Sequence, residues 1–217
     1  MNMIQRIKLH NAVPEIFAKR EDLRSDIWLQ DVAFERGHTY LIEAESGTGK
    51  SSLCSYLYGQ RGDYRGTILF DDEPISNFST RRWRDIRQTT LSILFQDLRL
   101  FGELTALENV EIKNRLTNMR DQKTIIRWFE ELGIGDKLSS RIDRMSYGQQ
   151  QRVALIRALC QPFDFIILDE PISHLDDRNS DIMRDIILRE AKQAGAGVIA
   201  TSIGKHMNID YDKRLSL

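Results

Sequence analysis

No stretch of this sequence approaches the ~18 consecutive apolar residues of a membrane-crossing helix, so no segment is expected to span a bilayer. Cysteine is scarce, with only Cys54 and Cys160 present. Neither sits in a C-x-x-C or metal-ligand spacing. That argues for a reducing, cytosolic compartment and for two small buried apolar groups. Neither sign of charge dominates: 31 Lys and Arg against 32 Asp and Glu leave a net charge of -1. A chain whose main task is to grip nucleic acid favours a basic surface, so no nucleic-acid partner is expected. Internal repeats, low-complexity tracts and Pro/Gly-rich linkers are missing, which points to one domain over residues 1–217. The opening MNMIQRIKLHNAVPEIF lacks the uninterrupted apolar core of a secretory leader, so a soluble protein is expected. Any role at a membrane then needs spans supplied by a partner.

What is present is enough for a folded domain: 217 residues, of which 41% are hydrophobic. Short apolar runs predict strands at 4–9, 26–34, 39–44, 67–70, 91–96, 165–169 and 197–201. The run FIILD (165–169) is apolar on both faces, as a central, doubly covered strand would be. Between Leu98 and Gln161 the period changes, with helical spacing in ALENVEIKNRL and in KTIIRWFEELG, the latter closed by Gly133. This order fits an α/β core carrying an inserted helical subdomain over about 97–161.

The chemistry begins at AESGTGKSS, residues 44–52. An apolar strand runs into a loop of small residues and on into a helix starting near Lys50, the context of a phosphate-binding loop. Ala44 stands where G-x-x-x-x-G-K-[ST] has its first glycine; its methyl is tolerable if its φ stays negative. Gly47 and Gly49 allow backbone N–H groups, with Ser46, Thr48 and Ser52 around them, to approach a triphosphate, and the helix N-terminus adds a favourable dipole. Lys50 is placed to reach the β- and γ-phosphates and Ser51 to coordinate Mg²⁺. Glu45 must point to solvent, because a carboxylate beside a triphosphate is repulsive. The second centre is FDFIILDEPISHLDD, 163–177. Its apolar strand delivers Asp169, a Mg²⁺ ligand directly or through water, and Glu170, a general base for an attacking water.

Three further motifs complete a constellation: ILFQD with Gln96, RMSYGQQQRVALIRAL (144–159) with Ser146 at a helix start, and SHLD (173–176). With 44–52 and Leu168–Pro171, their order and spacing resemble the ATP-binding cassette (ABC) ATPases over essentially the whole chain. LRLFGELTALENV after Gln96 and the total length are similar to the short transporter ATPases of the lipoprotein-release, macrolide-export and cell-division type. The resemblance implies a P-loop NTPase core, a mixed sheet flanked by helices, with an inserted α-helical subdomain and an N-terminal antiparallel β portion. It implies ATP and Mg²⁺ as cofactors and gives Gln96 a place on Mg²⁺ and the water. Ser146, Gly148 and Gln149 become a signature motif that closes on ATP held by a second ATPase protomer, in a homo- or heterodimer. Asp176 carries the contact between sites, and Phe17 becomes the candidate to stack on adenine, with Ile16 close enough to confuse the register. The partners implied are membrane-spanning permease subunits, and the location is cytoplasmic, peripheral at the inner face of the membrane.

The sequence departs from the family's pattern at Ala44, at Tyr147, where the signature usually has glycine, and at Ser202. Ser202 in GVIATSIGKHM (197–207) occupies the place of a histidine that contacts the γ-phosphate, so binding is expected to persist and hydrolysis to be slow. His206 is an alternative for that role. An ATP-gated regulatory module with little hydrolysis is therefore a second reading. A soluble DNA-associated cassette is a third, disfavoured because the interval from Ser52 to Ser146 has no room for a long coiled coil. The basic run RRWRDIR (81–87) reads as a solvated helix face.

Overall fold

The computed structural model describes residues 3–20 and 22–217. Two sheets form its frame. The first is antiparallel, with β1 (Arg6–Pro14) between β2 (Asp31–Glu35) and β4 (Tyr64–Phe70), and the short β5 (Glu73–Pro74) at its edge. The second is parallel. It runs in the order β6 (Leu91–Leu94), β7 (Phe165–Asp169), β8 (Gly197–Ser202), β3 (Thr39–Glu43), β9 (Lys213–Ser216).

Strand β7 is buried at every residue, as its apolar run requires, and its period of two divides it between two cores. Ile166 and Leu168 join a cluster with Trp128, Phe129, Leu155 and Ile187 from the helices on one side. Phe165 and Ile167 join Ile7, Phe34, Leu53 and Tyr56 on the other, where the antiparallel sheet packs. The parallel sheet is therefore the shared middle layer, and its C-terminal edge is the place where loops from different strands converge.

The helices follow their local signals. α1 (Lys50–Leu57) leaves the loop after β3; α2 (Thr80–Thr89) carries the RRWRDIR run. Residues 97–161 contain α3 (Ala106–Asn114), α4 (Gln122–Glu131) and α5 (Tyr147–Leu159), and among described residues no strand beyond the isolated bridge Thr105–Arg141. A Thr105–Glu108 capping box starts α3. Gly133 follows α4 in the left-handed region, φ +64°, where a β-carbon would be strained. α6 (Asp177–Ala194) is capped by Asp176 and ends at Gly195.

The strand expectations change at several places: the one at 4–9 runs instead from Arg6 to Pro14, and the one at 91–96 stops at Leu94. Residues 26–30 are not strand: Ser25 Oγ accepts hydrogen bonds from the Ile27 and Trp28 amides and folds this segment into a turn, so β2 starts only at Asp31. The 67–70 strand begins earlier, at Tyr64. β9 escaped notice because its four residues, KRLS, bury only Leu215. In RRWRDIR, Arg81 and Arg84 are exposed, as expected of a solvated face. Arg87 instead donates to the carbonyls of Tyr58 (3.0 Å) and Gly59 (2.6 Å).

Candidate active site

Strand β3 ends at Glu43 and α1 starts at Lys50, so residues 44–49 turn tightly at the sheet's C-terminal edge. Gly47 and Gly49 make the turn with φ of +84° and +97°. At Gly49 a β-carbon would also lie 2.9 Å from the Phe17 ring. Trp28 braces the loop from below, its indole N–H donating to the Thr48 carbonyl at 3.0 Å. The Thr48 hydroxyl donates to the Glu45 carbonyl at 2.9 Å, and the Glu45 side chain is exposed, as the loop chemistry demands. Ala44 is buried, takes no left-handed φ, and donates its N–H to the Ser202 carbonyl at 3.0 Å, so the missing glycine costs the backbone nothing visible.

Behind the loop lies an electrostatic centre. Lys50 is 6% exposed, pairs with the Glu170 carboxylate and lies 3.7 Å from Asp169 Oδ1. Beyond that ion pair, neither Lys50 Nζ nor Glu170 Oε1 has a hydrogen-bond partner, which leaves both able to take a new one. Burial lowers the Lys50 pKa, and the neighbouring Asp169 carboxylate opposes that shift. Thr201 on β8 organises both acids: its hydroxyl donates to Asp169 at 2.8 Å and accepts from the Glu170 amide at 3.3 Å. Glu170 sits at φ +50°, a costly conformation for a residue with a side chain. Beneath them Cys54 is buried, and desolvation pushes its thiol well above the usual range, which makes it an inert packing group.

In front of this centre opens a cleft of about 340 Å³. Of the residues expected at the site, Phe17, Glu45, Ser46, Gly47, Gly49, Lys50, Ser51, Ser52, Gln96 and Glu170 line it. Ala44, Thr48 and Asp169 do not line it. Among described residues, no cluster of three or more His, Cys, Asp or Glu could cage a metal on its own. A Mg²⁺ held mainly by phosphate oxygens needs no such cage, and the exposed Ser51 hydroxyl with the Asp169 carboxylate matches its preference for oxygen ligands.

Ser146, Gly148, Gln149 and Asp176 do not line the cleft; they form a separate face at the starts of α5 and α6. Ser146 caps α5, accepting from the Gln149 amide at 3.3 Å while Gln149 Oε1 accepts from the Ser146 amide at 2.9 Å. Gly148 packs on the SHLD segment, where a β-carbon would lie 3.3 Å from Leu175 and 3.4 Å from the His174 carbonyl. Asp176 accepts from the Asn179 amide at 2.8 Å, and these Asn179 hydrogen bonds hold its carboxyl below the usual range. Tyr147 turns aside: its hydroxyl donates to the Gln96 carbonyl at 2.7 Å.

Two expectations need correction. Ser202 is 2% exposed and its hydroxyl donates to the Lys205 carbonyl at 2.6 Å, so it does not face the cleft. The side chain that does is Ile203, 47% exposed. His206 does not fill the place either, because its ring packs edge-on against Tyr211 and Nδ1 lies 3.1 Å from the Met207 carbonyl. Phe17 touches the cleft but is only 3% exposed, wedged against Gly49 with Arg20 over its ring, so it offers little surface for a base. Ile16, 70% exposed, is the apolar surface at that end of the cleft. Sequence reading also missed Thr201, Trp28 and Arg61, whose Nη1 donates to Ser52 Oγ at 3.0 Å. Only Thr201, at the end of an apolar strand beside the acids, left a signal that could have been read.

The family model described as ABC transporter matches residues 30–173. An uncharacterised ABC transporter ATP-binding protein of Thermotoga maritima is 33% identical, covering 80% of this chain and 76% of that protein. The lipoprotein-releasing system ATP-binding protein LolD of Shewanella denitrificans is 26% identical over 98% of this chain and 92% of its own length. Among solved structures, the dimeric bacterial ABC transporter cassette MJ0796 superposes with a TM-score of 0.77 at 23% identity, over 90% of this chain and 87% of that one. That likeness is one of fold.

Proposed function

The chain belongs to the ABC transporter family, and from that premise we propose that it binds and hydrolyses ATP as the nucleotide-binding subunit of a membrane complex. The observation that carries this reading is the buried ammonium of Lys50, set at the start of α1 behind a glycine turn, paired with Glu170 and near Asp169, with an open cleft in front.

The chemistry follows from these groups. Phosphates enter over the N–H groups of 46–51 and the positive end of α1. Lys50 exchanges Glu170 for the β- and γ-phosphates, which frees the carboxylate. Glu170 then accepts a proton from the water that attacks the γ-phosphate, and Gln96 orients that water. Ser51, Gln96 and Asp169 would hold Mg²⁺, which would supply charge neutralisation on the phosphates. The Thr201 hydroxyl fixes the orientation of Asp169 and anchors the Glu170 backbone. Ile16 offers the apolar surface for the base.

The face of Ser146, Gly148, Gln149 and Asp176 meets the nucleotide of a second protomer, so two chains close head-to-tail around two ATP. A helix start with a hydroxyl and free N–H groups is suited to a γ-phosphate. Residues 97–161 act as a helical unit that passes this closure on. Among the described residues no helix is long and apolar enough to cross a membrane, so the spans come from permease subunits, with this chain at the cytoplasmic face. Exposed Phe101, Leu116 and Met119 on the helical unit suit such a partner.

The apolar Ile203 in the cleft, and the Ser202 hydroxyl turned away from it, favour slow turnover and keep the regulatory reading in view. The deciding experiment is size-exclusion of Glu170→Gln with Mg²⁺ and ATP. The amide keeps shape but cannot act as a base, so a dimer accumulates that is absent without nucleotide. A variant that stays monomeric at high protein and ATP concentrations contradicts the sandwich.

A further inference from the structure

Tyr147 is the residue whose bulk fits the ATPase reading least. It sits at the first turn of α5, in the middle of the face that would meet a partner's nucleotide, and it is 40% exposed. Its side chain nevertheless has a defined place. The hydroxyl donates to the Gln96 carbonyl at 2.7 Å, and the ring meets His174 edge to face, with centroids 4.5 Å apart. One side chain thus touches the three segments 96–99, 146–149 and 173–176.

The segment it holds is costly. Leu98 and Arg99 follow Gln96 with φ of +56° and +49°, left-handed conformations that residues with side chains avoid unless their surroundings enforce them. The enforcement comes from α5. At its far end Arg157 donates to the Leu98 carbonyl (2.5 Å) and the Arg99 carbonyl (2.6 Å). At its near end Tyr147 donates to Gln96. The helix therefore grips the Gln96 loop from both ends, while its first turn carries Ser146 and Gly148. Gln96 itself lines the cleft around Lys50.

The geometry points to Tyr147 as a positioning residue for Gln96: it ties the first turn of α5, which meets the partner's nucleotide, to the glutamine that serves the chain's own cleft. Closure on one nucleotide is then transmitted to the other site through a hydrogen bond and a rigid helix. The inference rests on the ATPase reading. It goes beyond it by giving a task to the side chain that stands in the signature motif's usual glycine place.

The test is a double-mutant cycle on steady-state ATPase activity of the full chain. Tyr147→Phe keeps the ring and its His174 contact and removes only the hydroxyl. It lowers kcat by about 2- to 10-fold, the range one net hydrogen bond supports, with KM for ATP and the melting temperature unchanged. Gln96→Ala lowers kcat further, and in that background Tyr147→Phe has no added effect, because residues acting through one another are non-additive. A purely structural tyrosine would change melting and KM together. The inference is overturned if Tyr147→Phe leaves kcat at the wild-type value, or if the two effects multiply independently. Failure of the underlying reading is distinct: wild type would then show no turnover, or turnover insensitive to Lys50→Ala.

Discussion

Glu170→Gln should tighten ATP binding even as it stops hydrolysis. In the nucleotide-free chain the Lys50 ammonium is shared between Glu170 and Asp169. Incoming phosphates must compete with Glu170 for that cation and also meet its negative charge. The pair is buried, 6% and 11% exposed at the two side chains, so it is poorly screened. A unit charge ~5 Å away at an effective dielectric of about 20 is worth roughly 3 kcal/mol, and relaxation of the open cleft returns part of it. A net gain of about 1–2 kcal/mol corresponds to ~5- to 30-fold lower Kd. The free protein pays in stability, because one partner of a buried pair is lost. That loss stays below the usual ~3–5 kcal/mol for a fully orphaned charge, since Asp169 remains 3.7 Å from Lys50. Calorimetric titration with Mg²⁺ and ATP gives the affinity, and thermal melting without nucleotide gives the stability. Equal or weaker affinity, with melting unchanged, would refute the idea that Glu170 competes with phosphate for Lys50.

Three further outcomes follow from the same geometry. Ile203→His places an imidazole in the cleft and raises kcat by ~10-fold or more, since one well-placed donor is worth roughly 1.4–4 kcal/mol in the transition state. Ser202→His must displace the buried bond to the Lys205 carbonyl, so it costs about 1–3 kcal/mol of stability and raises kcat less; melting curves and turnover compare the two. Lys113, half-buried in α3 and close to Arg157, has its pKa lowered from 10.5 to about 8, desolvation being the larger cause. Its folded form favours the neutral amine. The penalty is therefore full below about pH 8 and is relieved as pH rises towards 10.5, by up to roughly 3 kcal/mol. The difference in unfolding free energy between wild type and Lys113→Met, measured by denaturant titration from pH 7 to 10.5, should follow that curve, and a flat difference would contradict it.

Much of the fold could be read from local chemistry. Fully buried β7 announces itself because FIILD has no polar residue to hide before Asp169, and α4 because Ile125, Trp128 and Phe129 share one face above the Asp121 cap. The phosphate loop is equally legible, since each glycine there answers a backbone demand. What failed depended on side chains chosen by distant partners. Residues 26–30 have the apolar content of a strand, yet Ser25 and the Trp28 bond to Thr48 fold them under the loop. Phe17 and Ile16 are adjacent and both border the cleft, and only the packing of Phe17 on Gly49 decides that Ile16 carries the larger open surface. The motif resemblance puts Ser202 at the place of the family's histidine, but a motif does not reveal that its hydroxyl turns back to Lys205.

The central claim, that the Lys50 cleft is where ATP is bound and cleaved, is tested most directly by phosphate release from wild type and Lys50→Ala under identical Mg²⁺ and ATP. Lys50→Ala removes the cation that faces the β- and γ-phosphates. Wild type should show measurable turnover and the variant a loss of at least ~100-fold, as when one charged transition-state contact is removed. Turnover that is the same in both proteins would contradict it.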